Sequence, residues 1–140
     1  MKKLYLFILP ALLTTACSKD FLKKYDHRIE GVWQLTDVDR KGIGGSTGHL
    51  AFTEGQFNFE DNGVLTYTNN IGTIYKGTWD IKRSWIDENE VHTLNVTAVD
   101  FASQDIKSEH FDEMAFTGTN HFKAYIHSSS HSYVFRFKRQ

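Results

Sequence analysis

One cysteine in 140 residues cannot close an internal disulfide, so any domain this chain forms is held by packing and hydrogen bonds alone. The one proline is Pro10, so no later strand meets a residue that lacks a backbone donor. No apolar run reaches the roughly 20 residues that a membrane-spanning helix needs. The clearest, residues 4–13 (LYLFILPALL), has ten. Charge of one sign is equally scarce: 16 basic against 17 acidic residues give −1, with no Lys/Arg cluster to neutralise phosphates, which argues against nucleic acid as a partner. There is no G-x-S-x-G elbow, and the Gly-rich stretch 42–49 (GIGGSTGH) lacks the lysine of a phosphate-cradling loop. Nothing in the chain identifies a substrate, and the expectation is a protein that is not an enzyme and carries no cofactor.

What is present begins with an export signal. Lys2 and Lys3 precede the apolar run, and Thr14, Thr15 and Ala16 lead into Cys17. Small residues followed by cysteine resemble the lipobox of bacterial lipoproteins. That resemblance implies a signal peptide over residues 1–16, a lipid anchor on Cys17, and a place in the cell envelope as an outer-membrane lipoprotein, facing the periplasm or the surface, with Ser18 compatible with that sorting. An ordinary signal peptide cleaved nearby, leaving a free thiol, is the alternative. Loss of Lys2 and Lys3 would leave 14 basic against 17 acidic residues, a charge of −3 on one domain-sized chain. Residues 17–30 then read as a tether with a short helix, because Phe21, Leu22, Tyr25 and Ile29 share one helical side. That side either caps the domain or leaves its lysines over lipid headgroups.

From Gly31 the period changes to two. Apolar residues alternate in Trp33/Leu35, Phe57/Phe59, Leu65/Tyr67, Tyr75 with Trp79/Ile81, Leu94/Val96/Ala98, Met114/Phe116, Phe122/Ala124/Ile126 and Tyr133/Phe135/Phe137. Asp61-Asn62-Gly63 is a hairpin signal, and Asn69-Asn70-Ile71-Gly72, Thr117-Gly118-Thr119-Asn120 and Ser128-Ser129-Ser130 are further turns. About eight short-linked strands with almost no helix predict an all-β antiparallel meander over residues 31–140, closed as a barrel or folded as a sandwich.

Gly31-Val32-Trp33 resembles the G-x-W motif of lipocalins and related calycin barrels. With the hairpin, Lys76-Gly77-Thr78-Trp79-Asp80-Ile81 and the lipobox, the chain is similar to small lipocalin-like bacterial lipoproteins. The resemblance implies an eight-stranded up-and-down barrel whose Trp33 packs at the closed end under a basic residue of the last strand. Arg136, Lys138 and Arg139 are available, and Arg139 suits the alternation best.

The inward aromatics Trp33, Phe57, Phe59, Tyr67, Tyr75, Trp79, Phe116, Phe135 and Phe137 either line a pocket for a small apolar ligand or fill the barrel. Residues 42–49 are the candidate flap at its mouth. The rival role is a protein-interaction or inhibitor module that works through its loops on a solid core. His127 and His131 flank Ser128-Ser129-Ser130 and could chelate zinc, but no third ligand is set up, and solvated turn histidines are the favoured reading. Asp87-Glu88-Asn89-Glu90 and residues 109–113 read as acidic loops.

Overall fold

Period-two alternation closes on itself. In a computed structural model, which describes residues 24–43 and 48–140, eight strands form a closed antiparallel barrel in sequence order, each paired with its neighbours and β8 with β1. The strands are β1 (Gly31–Gly42), β2 (Gln56–Phe59), β3 (Val64–Thr68), β4 (Ile74–Ile86), β5 (Asn89–Asp100), β6 (Asp105–Phe116), β7 (His121–His127) and β8 (His131–Arg139). One helix, α1 (Tyr25–Ile29), precedes them. The expected eight-stranded up-and-down barrel is the observed architecture. The expected signal peptide, Cys17 and residues 18–23 of the tether lie outside the described residues, as do residues 44–47 of the glycine-rich segment.

The turns follow from local chemistry. Asn62 and Gly63 take positive φ in the short 3-10 turn Asp61–Gly63 that joins β2 to β3. Asp87 and Glu88 do the same in the two-residue link between β4 and β5. The acidic stretches are therefore corrected: Asn89 and Glu90 already belong to β5, and residues 109–113 lie inside β6. A strand reading of HFDEM fails at strict alternation because the β5–β6 register shifts between His92 and Leu94, opposite Met114 and Phe111. That bulge brings both Phe111 and Met114 inward, three residues apart.

Gly77 shows how tightly two strands meet. A Cβ there would lie 1.8 Å from the carbonyl oxygen of Thr97, so only glycine lets β4 approach β5 at this level.

The strands place the two ends unambiguously. α1, Trp33, Phe59, Phe116, Phe122 and Arg139 sit at the end where β1 begins, and the β3–β4, β5–β6 and β7–β8 turns sit at the other. The first is termed the closed end and the second the mouth.

Candidate functional site

At the closed end two polar side chains, of Trp33 and Arg139, are directed at the end of α1. Trp33 is fully buried and its indole N–H donates to the Ile29 carbonyl at 2.6 Å. The Arg139 guanidinium lies 4.3 Å from the Trp33 ring and donates to the carbonyls of Glu30 at 2.8 Å and Arg28 at 2.7 Å. Orphan carbonyls at a helix C-terminus need donors, and these two side chains supply them. Gly31 has φ +116, and a Cβ on it would stand 2.7 Å from Arg139 Nη1. The glycine of Gly31-Val32-Trp33 thus leaves room for the arginine that covers the tryptophan. Arg28 lies 4.0 Å over half-buried Phe116, and Tyr25 stacks on His92 with centroids 3.6 Å apart.

The candidate ligand-lining aromatics touch one another through the middle of the barrel. Phe57 meets Phe52 at 5.2 Å, Tyr67 at 4.8 Å and Phe137 at 5.4 Å. Phe137 stacks on Phe122 at 4.3 Å, and Phe122 meets Trp33 at 4.8 Å. Phe59 meets Trp79 at 5.7 Å, Tyr67 meets Tyr75 at 5.5 Å, and Phe135 meets Phe111 at 4.9 Å. These are the separations of attractive ring pairs, and they run from the closed end to the mouth. Phe116, at the closed-end rim, joins the same network through Phe122 at 5.7 Å and Trp33 at 6.2 Å.

The mouth is covered by residues that alternation does not reveal. Phe52 comes from the link between β1 and β2, is fully buried, and packs edge-on against Phe57 and Tyr67. Side chains of the barrel hold that link: Tyr133 Oη accepts from the Gly48 N–H at 3.0 Å, Glu109 accepts from the Ala51 N–H at 3.0 Å, and Tyr67 Oη donates to the Glu54 carbonyl at 2.9 Å. Burial, with Glu54 nearby, pushes the Tyr67 phenol up to about 12. Tyr75 donates to the Asp105 carboxylate at 2.9 Å, which also raises its pKa. Of the candidate flap, Gly42, Ile43, Gly48 and His49 are described, and Ile43 is 91% exposed.

A cleft of about 400 Å³ opens beside α1, against the β4–β5 face that continues the inward alternation of Trp79 and Leu94. Its walls are Lys24, Tyr25, Asp26, Ile81, Arg83, Glu90 and His92. Arg83 approaches Glu90 at 3.8 Å, and His92 Nε2 lies 3.3 Å from the same carboxylate. Desolvation nevertheless dominates at His92 and lowers its pKa. Arg28, Phe52, His92 and Phe111 are the structural residues that sequence reasoning missed, whereas Tyr25 lies on the helical side expected to cap the domain. Arg28 and Phe52 lie outside the strands, Phe111 lies off the Met114/Phe116 alternation, and His92 extends the Leu94/Val96/Ala98 run as a polar residue.

His127 and His131 are not opposite one another: His127 pairs with Ser132, and its ring faces Glu113 at 3.6 Å on the outer face, while His131 turns edge-on to inward Tyr133. Among the described residues no group of three or more His, Cys, Asp or Glu is placed to hold a metal ion. No helix among them is long and apolar enough to cross a membrane. No protein-family profile, curated protein or solved structure significantly matches this chain.

Proposed function

We propose that the chain is a lipid-anchored, non-enzymatic lipoprotein of the outer membrane, held through Cys17, whose lipocalin-like barrel is a solid scaffold for recognising a partner protein. The observation that carries this reading is the contrast between interior and rim. The rings inside are in mutual contact, whereas three separate mouth segments each present one bare apolar side chain: Ile43, Ile71 at 86% exposed and Phe101 at 77%. Ile74 and Ile106 add to them on the adjoining outer face. Scattered exposed aliphatics are ordinary, but several gathered at one end of a small domain mark an interaction surface. Residues 43, 71 and 101 follow β1, β3 and β5, so they are spread around the rim and suit a broad partner surface better than a small molecule.

The test is a photo-crosslinking amino acid placed at Ile71, Phe101 or Lys138 in cells of the source bacterium. One shared protein adduct from the two mouth positions and none from Lys138 is expected, with loss of that adduct on Ile71→Ser plus Phe101→Ser. A stoichiometric small apolar molecule on the purified protein, with no protein adduct, would overturn the assignment. Anchoring is read separately, as incorporation of labelled palmitate that Cys17→Ala abolishes.

A second reading rests on the cleft beside α1. A small ligand with an aromatic or aliphatic body would lie against Tyr25 and Ile81 and place an acidic group near Lys24 and Arg83. It relocates the expected apolar ligand from the middle of the barrel to the space beside α1.

A further inference from the structure

We infer that the β4–β5 hairpin is a membrane-touching arm, which lodges Trp85 and Ile86 in the surface of the bilayer that holds the chain. This rests on the lipid-anchored reading above and adds a second, non-covalent contact to it.

The arm is built by unequal strand lengths. β4 loses its last partner in β3 at Thr78 but continues to Ile86. β5 has its last partner in β6 at His92, so the pairs Ser84↔Val91, Trp85↔Glu90 and Ile86↔Asn89 stand clear of both neighbours. From His92 to the turn the arm projects roughly 13 Å at the usual rise per strand residue. Its tip exposes Trp85 at 64% and Ile86 at 56%, on opposite faces of the ribbon. Paired strands could have carried polar residues there at no cost. A tryptophan and an isoleucine left in water on a two-stranded projection have an obvious use at a lipid interface, where indole is favoured.

The arm projects at the end from which the anchor would emerge. Lys24, the first described residue, lines the cleft beside Arg83 and His92, level with the base of the arm. It lies seven residue steps from Cys17, and these span about 25 Å at most. An acyl group on Cys17 therefore keeps the bilayer within reach of a tip that advances roughly half that distance.

Charge selects the headgroup. Lys82 is 3.8 Å from Asp80, and Arg83 is 3.8 Å from Glu90, so both basic side chains of the arm have acidic neighbours. Asp87 and Glu88 form the turn itself. A tip with this balance is repelled by anionic lipid and meets the ammonium groups of phosphatidylethanolamine favourably.

The three tryptophans make the test direct, because Trp33 and Trp79 are buried and Trp85 alone is exposed. The acylated protein is placed in vesicles of phosphatidylethanolamine and phosphatidylcholine whose acyl chains carry bromine. Blue-shifted, quenched Trp85 emission that disappears in Trp85→Ser is expected, with the variant still floating with the vesicles. Protein that floats with Trp85 unquenched overturns the arm while leaving the anchor intact. A blue shift that depends on protein concentration without quenching means that arms of two copies pair, and it also overturns the proposal. Stronger quenching on adding phosphatidylglycerol refutes the headgroup assignment. If the chain proves to carry no acyl group, the anchored reading fails, and the arm is decided independently by coupling the single thiol to a maleimide-bearing lipid and repeating the measurement.

Discussion

The two ends of this barrel are shut in different ways. At the closed end the seal is made by strand residues: Trp33 of β1 and Arg139 of β8 grip the carbonyls of α1, and Gly31 makes space for them. At the mouth the seal is a loop residue, Phe52, held in place by single hydrogen bonds between barrel side chains and the backbone of its neighbours. The first seal ties the beginning of the chain's barrel to its end through charge-assisted bonds and ring contact. The second depends on a connection whose own backbone lies outside the ladder. One end sealed through strand residues beside Lys24, and the other sealed by a loop at the opposite side, fit the role proposed above, in which the protein is held at the first and recognises at the second.

The largest break in this contrast should come from Trp33→Ala, which removes a fully buried indole together with its bond to Ile29. A loss of about 3–5 kcal/mol is expected in urea unfolding. Phe52→Ala should cost less, about 3 kcal/mol or below, because a loop collapses more easily than paired strands. A loss equal to that of Trp33→Ala would show that the mouth is as rigid as the closed end.

Arg139→Lys sharpens the comparison further. It keeps the charge but removes the planar fork that serves two carbonyls at once, for an expected loss of about 1–2 kcal/mol by the same measurement. Unchanged stability would mean that the ring contact alone closes this end.

The smallest effect is a pH dependence. Burial lowers the pKa of His92 below its ordinary 6.5, so the unfolded chain takes up that proton first. Its contribution to stability is complete above about pH 6.5 and is lost as pH falls from there toward the folded value. His92→Phe, which retains a ring against Tyr25, should flatten this part of the stability profile. An unaltered slope would place its origin elsewhere.

The barrel was legible because half-buried strands advertise themselves at period two, and Asn62-Gly63 needs little context to turn. Trp33 with Arg139 could be anticipated from a motif whose physical reason, the Gly31 space, appears only in three dimensions. Phe52 was not legible, since a single aromatic in a loop carries no period. Phe111 was hidden by a bulge that breaks the alternation, and by acidic neighbours that imitate a loop. Glu109 illustrates the same difficulty, as an acid inside a strand serving the Ala51 N–H. The β4–β5 arm escaped notice because overhang depends on where neighbouring strands stop.

The pairing of β8 with β1 also has a bearing on how the molecule forms. It joins residues about a hundred positions apart, from Trp33↔Arg139 to Gly42↔His131, and Arg136 clips the outside of the same seam to Asp37 and Asp39. Every other ladder links strands adjacent in sequence and can zip as the chain lengthens. Until β8 arrives, β1 and β7 each carry an unpaired edge that invites a stray strand. Closing this one ladder removes the last two open edges of the sheet and carries the largest loop-closure cost of the eight.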